Sequence, residues 1–140
     1  CQIILPSDAI VAPKLDPVIN FAVKKIDGLN SSDMILDIGP VSTKDLKEVI
    51  SNSKTVFWNG PPGVFEVEPF NKATIEIANH IADLTSAGKI QSFAGGGDTV
   101  AAIEMAGVKE KFTYISTGGG ALLELLEGKQ LPGLVSQNIL

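Results

Sequence analysis

Gln91-Ser92-Phe93-Ala94-Gly95-Gly96-Gly97-Asp98-Thr99 decides how this chain folds, because a short run of strand character enters three glycines and then an Asp-Thr pair of the kind that opens a helix. Tyr114-Ile115-Ser116-Thr117-Gly118-Gly119-Gly120-Ala121 repeats the design further on. Strand, glycine turn, helix, twice over, predicts parallel strands joined by helical crossovers. Outward from these segments, further strands are predicted at residues 2–5, 34–38, 55–58, 91–94 and 112–116 from runs rich in β-branched and aromatic residues. Helices are predicted at 43–51, 70–87, 98–106 and 120–126, the last two each ended by a glycine, Gly107 or Gly128. In 70–87, Phe70, Ala73, Ile77, Ile81 and Leu84 share a narrow arc opposite Lys72, Asn79 and Asp83. The expected fold class is α/β: a parallel sheet with helices on both faces. Near the N-terminus, Pro6, Pro13 and Pro17 punctuate a segment read as an irregular β excursion, and 16–26 is read as a short helix or loop.

Composition narrows what such a fold can do. At 140 residues with 44% hydrophobic and 19% charged content, the chain has the length of one domain and the make-up of a folded one. A net charge of −5 argues against nucleic acid as a partner, since binding to that backbone relies on clustered cations. No apolar run is long enough to span a membrane, and the start lacks the order of a secretion signal. A lone cysteine, Cys1, offers neither a disulfide framework nor a metal ligand set, which suits a cytoplasmic location.

Glycine supplies the chemistry. Consecutive glycines let the backbone approach an anion and turn N–H groups toward it, while a helix N-terminus adds roughly half a positive charge. Gly95, Gly96 and Gly97 therefore form a candidate phosphate cradle that needs no lysine, and Gly118, Gly119 and Gly120 form a second on the same edge of the sheet. Asp98 beside bound phosphates would be repelled without a cation between them, which makes it a candidate Mg²⁺ ligand; the alternative is that Asp98 or Thr99 only caps the helix. The loops match neither a dinucleotide fingerprint, because Val100 and Leu123 stand where glycine is needed, nor a Walker A loop, because neither Gly88-Lys89 nor Gly128-Lys129 continues into Ser or Thr. A third loop, Asn59-Gly60-Pro61-Pro62-Gly63-Val64-Phe65-Glu66, offers Asn59 as a phosphate donor and Glu66 as an acceptor for ribose hydroxyls. His80 is read as a surface or packing residue, and Glu104, Glu124 and Glu127 as solvated helix faces.

Asp37-Ile38-Gly39-Pro40, the run Val56 to Glu66, Gly95-Gly96-Gly97-Asp98-Thr99 and Ser116-Thr117-Gly118-Gly119-Gly120-Ala121 with the leucines and glutamates after it together resemble phosphoglycerate kinase, in that family's order and spacing. The resemblance implies a Rossmann-like α/β domain belonging to a two-domain kinase. Residues 1–130 would be most of the C-terminal, nucleotide-binding domain, and 131–140 a tail returning toward an N-terminal substrate domain.

The implied reaction is reversible phosphoryl transfer from 1,3-bisphosphoglycerate to Mg-ADP, giving 3-phosphoglycerate and ATP in glycolysis. The full-length protein would be a cytoplasmic monomer, and the 140 residues alone inactive, without the basic substrate domain or the family's lysine-bearing glycine loop. By the same resemblance Asn59 and Gly95 to Thr99 serve the phosphates, with Asp98 at Mg²⁺. Leu36, Pro61 and Val64 line the adenosine pocket, Glu66 meets the ribose, and Gly118 to Gly120 lie at the transferred phosphoryl group. Pro62, Val41 and Leu122 depart from the family pattern without removing an assigned ligand group. A non-catalytic nucleotide- or sugar-phosphate-binding module is the alternative that these loops alone would also fit.

Overall fold

The computed structural model describes residues 1–136. Among the described residues, six strands form two three-stranded sheets: β1 (Asp8–Ala12), β2 (Ala22–Lys25) and β3 (Met34–Ile38) in the antiparallel order β2-β1-β3, and β4 (Thr55–Trp58), β5 (Gln91–Ala94) and β6 (Tyr114–Ile115) in the parallel order β4-β5-β6. The helices are α1 (Pro40–Ser51), α2 (Lys72–Ser86), α3 (Gly97–Met105), α4 (Gly120–Leu126) and α5 (Pro132–Val135).

The parallel half is the α/β unit expected from the glycine turns. Its core joins α2 residues Ile77, Ala78, Ile81 and Ala82 to Trp58, Ile90, Ala94, Ile103 and Phe112. Trp58 stacks on Phe112 at 6.4 Å between ring centroids. Truncating a side chain such as Ile81, 1% exposed, to alanine would remove about 2–5 kcal/mol of stability.

The antiparallel half differs from expectation. Residues 2–5 form no strand, and Ile3 and Leu5 are 81% and 78% exposed. Pro6 has no N–H to enter a ladder, and pairing begins only at Asp8, where Ser42 Oγ accepts from the N–H of both Ser7 (2.9 Å) and Asp8 (3.0 Å). The segment 16–26 is neither helix nor loop throughout. Its end is β2, held by Lys24, whose Nζ donates to both Asp33 oxygens at 2.8 Å. The strand expected at 112–116 shortens to Tyr114–Ile115. Of the expected tail 131–140, the start is α5, and residues 137–140 lie outside the described residues.

Two buried aspartates attach the antiparallel sheet to the helices. Asp8 Oδ2 accepts from Val41 N (3.1 Å) and Oδ1 from Ser42 N (2.8 Å) in the first turn of α1, and Ser42 Oγ donates to Oδ1 at 2.6 Å. Asp37 Oδ2 accepts from Ala73 N (3.0 Å) in the first turn of α2, and Oδ1 from Ile38 N (2.9 Å). Their titrations diverge. Burial of Asp8 raises its pKa, but the hydrogen bonds from Ser42 and Val41 overcome this and hold it below the ordinary 3.8. Burial dominates at Asp37 and pushes it up to about 6, against the two backbone donors and with Glu76 adding repulsion.

The stability consequences have opposite sign. Native Asp37 binds its proton more tightly than the unfolded chain does, so its contribution to stability falls as pH rises from 3.8 to about 6. Asp8 contributes fully above 3.8 and loses its contribution as pH falls through its lower native value. Urea unfolding across pH should therefore show that Asp37→Asn abolishes a decline between 3.8 and about 6, whereas Asp8→Asn flattens only the acid limb. Identical pH profiles for the two variants would contradict this assignment.

Candidate functional site

Trp58, Ala94 and Ile115 are register partners at the ends of adjacent parallel strands, so Asn59, Gly95 and Ser116 leave the sheet side by side at its carboxyl edge. Ligands of open α/β sheets bind at that edge. Two backbone bonds carry the order of the sheet into the loops: Gly95 N donates to Trp58 O (3.0 Å), and Ser116 N to Ala94 O (2.8 Å).

Gly96 precedes α3 with φ +94°, a region side chains disfavour, and a Cβ there would also press on Asn59 Nδ2. The N-cap position of α3 is Gly96, which makes no side-chain cap, and the Thr99 hydroxyl is engaged by Gly60 instead. The first-turn N–H groups of α3 thus keep their anion-directed character, and Asp98 stands exposed in that first turn. Thr99 is 1% exposed, and its Oγ1 accepts from Gly60 N at 2.6 Å. Asn59 Nδ2 donates to Gly95 O at 2.8 Å. Both donors belong to the loop after β4 and both acceptors to the segment after β5, one bond running from backbone to side chain and the other from side chain to backbone, so the two loops are held together.

The loop after β4 also reaches the other sheet. Trp58 Nε1 donates to Gly60 O (2.8 Å), Pro61 and Val64 are half-buried, and Glu66 is exposed. Between Ile10 and Val11 of β1 the register on β3 jumps from Asp37 to Ile35, which makes Leu36 the extra residue of a bulge. The Leu36 carbonyl accepts from Val64 N at 2.8 Å, while its side chain is buried with Ile10, Ala12 and Phe70. At the second triplet, Ser116 Oγ accepts from Gly118 N (3.2 Å), Gly119 precedes α4 with φ +57°, and Leu122 lies over Gly95. Both triplets and Asn59 are thus brought to one edge, with Leu36, Pro61, Val64 and Glu66 on the connected flank.

Among the described residues, no three His, Cys, Asp or Glu side chains are grouped to hold a metal ion. An exposed carboxylate at Asp98 beside the amides at the start of α3 is a single hard oxygen donor that would hold Mg²⁺ only together with an anionic ligand, not in a cage of protein ligands. His80 is elsewhere: its Nε2 lies 2.8 Å from Ser51 Oγ and 3.0 Å from the Lys47 carbonyl, bridging α1 and α2.

The phosphoglycerate kinase family profile matches residues 1–129. The chain belongs to the phosphoglycerate kinase family. Phosphoglycerate kinases of Caulobacter vibrioides and Agrobacterium fabrum are each 50% identical to it, over 136 and 134 residues, covering 97% and 96% of this chain and 34% of each relative. The structure of phosphoglycerate kinase from Coxiella burnetii superposes with a TM-score of 0.83 at 40% identity, over 89% of this chain and 32% of that one. Phosphoglycerate kinase from Pyrococcus horikoshii OT3 gives 0.77 at 33% identity, over 96% and 32%. The chain spans about a third of the length of these phosphoglycerate kinases. Among the described residues, no helix is long and apolar enough to cross a membrane.

Sequence reasoning missed the bracing roles of Thr99 and Asp37. A polar residue between Leu36 and Ile38 in an otherwise apolar strand was the available signal for Asp37; nothing local pairs Thr99 with Gly60. Because the two cross-loop bonds share one small unit, their loss should not add. Thr99→Val and Asn59→Ala are each expected to lower unfolding free energy by about 1 kcal/mol. The double variant should lose at least about 0.5 kcal/mol less than the sum in urea denaturation. Strict additivity would show that the loops are held independently.

Proposed function

We propose that the full-length protein of which this chain is part catalyses reversible phosphoryl transfer from 1,3-bisphosphoglycerate to Mg-ADP, yielding 3-phosphoglycerate and ATP. The chain would form most of the C-terminal, nucleotide-binding domain at residues 1–130, with 131–140 returning toward an N-terminal domain that binds the phosphoglycerate. The observation that carries this reading is the meeting of two glycine triplets and the Asn59–Glu66 loop at one sheet edge in a member of this family.

In this reading the first-turn amides of α3 and the backbone of Gly95 to Gly97 hold the nucleotide phosphates, with Thr99 and Asn59 keeping that backbone in place. Pro61 and Val64 contact the adenosine, beside Leu36, and Glu66 accepts from the ribose hydroxyls. Gly118 to Gly120 face the phosphoryl group in transfer and offer it backbone N–H groups. Mg²⁺, when bound, neutralises phosphate charge next to Asp98. The bond from phosphorus to the acyl oxygen breaks as one to the terminal phosphate oxygen of ADP forms, and the leaving carboxylate is already ionised at neutral pH. No general base is required, so alignment and charge neutralisation carry the rate. The protein would act as a cytoplasmic monomer whose second domain supplies cations to glycine-rich loops that carry none of their own.

A coupled ATP-formation assay tests the reading. The full-length protein should turn over, the 140 residues alone should give little or no ATP, and Asp98→Ala in the full-length protein should lower kcat on the order of a hundredfold while ADP affinity falls by less than about fivefold. Adenosine affinity should be unchanged. Equal loss of adenosine and ADP binding would remove Asp98 from the metal, and full-length protein without turnover would remove the kinase reading altogether.

A further inference from the structure

Asp37 is 0% exposed, and none of the ion pairs among the described residues includes it. Capping α2 does not by itself explain an ionisable group there. Serine or asparagine would satisfy the Ala73 N–H without a buried charge, and burial already pushes this carboxyl up to about 6. What the carboxylate adds is a second oxygen on the far side. Oδ1 occupies the space a side chain at Gly63 would need, so that the backbone of the 59–66 loop passes directly against it, with the Phe70 carbonyl closing the same gap. One residue earlier, the bulged Leu36 carbonyl accepts from Val64 N. Leu36 and Asp37 therefore grip consecutive residues of the loop, Gly63 and Val64, and tie them to the start of α2 through Ala73.

We propose that Asp37 is a positioning residue for the nucleotide: wedged between the α2 N-terminus and Gly63, it fixes the backbone from which Pro61, Val64 and Glu66 project. It touches no substrate and acts only through the loop. The inference rests on the nucleotide reading of that loop given above, and it assigns to Asp37 an effect on one substrate and not the other.

Steady-state ATP formation by full-length protein, varying ADP and 1,3-bisphosphoglycerate separately, tests it. Asp37→Asn, which keeps volume but replaces one oxygen, should raise the KM for ADP about tenfold, leaving the KM for bisphosphoglycerate and kcat at saturating ADP within about twofold. Gly63→Ala, which drives a methyl into Asp37, should reproduce that split. Equal rises in both KM values, or a lower melting temperature with an unchanged KM for ADP, would overturn the proposal. Should both variants fail to fold, amide hydrogen exchange of the unaltered protein decides: MgADP should slow exchange at Val64 and Ala73 together, and protection of Val64 without Ala73 would overturn it. Unaltered protein that neither binds MgADP nor makes ATP would overturn the nucleotide reading and this inference with it, a result visible before any variant is made.

Discussion

Each of the two long helices begins on a residue that makes no side-chain capping bond of its own, Gly39 for α1 and Asn71 for α2, and each has its first turn served by a buried aspartate of the antiparallel sheet. Orphan N–H groups at a buried helix start must be paired, and the carboxylates also meet the positive end of each helix. This shared constraint locks the two halves of the molecule. Asp8 on β1 sets α1, Asp37 on β3 sets α2, and the strands β1 and β3 are paired, so neither helix can shift without disturbing the same ladder. Both carboxylates demand glycine opposite: a side chain at Gly39 would collide with Asp8, and one at Gly63 with Asp37. The requirement at these glycines is proximity to a carboxylate, not backbone freedom.

The functional edge inherits this arrangement. Residues 59–66 bridge the two sheets: Gly60 is bonded to Thr99 at the head of α3, and Val64 to the bulge on β3. The adenosine side and the phosphate side of the proposed site therefore lie on different sheets joined by one loop. Distortion at either attachment would change the distance between them, which is why bracing residues remote from any ligand atom can govern affinity.

What was legible in the sequence was what is locally encoded. The arc of Ala73, Ile77 and Ile81 marked α2, and the glycine triplets marked the turns into α3 and α4, since periodicity and turn chemistry are properties of a few consecutive residues. Of the antiparallel sheet, β3 at 34–38 was legible but the sheet's order was not, because it depends on pairing β1 with β3 across more than twenty residues, and because Asp8 looks like a surface residue until the helix start it serves is in view. The apolar run at 2–5 suggested a strand that finds no partner. Residue type marks Asn59 as a candidate phosphate donor; that its amide also donates to the Gly95 carbonyl is visible only when β4 and β5 lie side by side.

Charge explains why bracing carries so much weight here. The chain is acidic, its eleven basic residues are all lysines, and none falls within 91–99 or 114–121. Guanidinium clamps are therefore absent from this chain, and any attraction these loops exert on phosphate comes from aligned N–H dipoles, which weaken within a turn of the helix end. A field that short depends on close placement. Lysine side chains can follow a displaced phosphate; backbone amides cannot. In the proposed site the hydrogen bonds at Thr99, Asn59 and Val64 and the carboxylate at Asp37 would take the place of mobile cations, by keeping a weak, local attraction where a phosphate could use it.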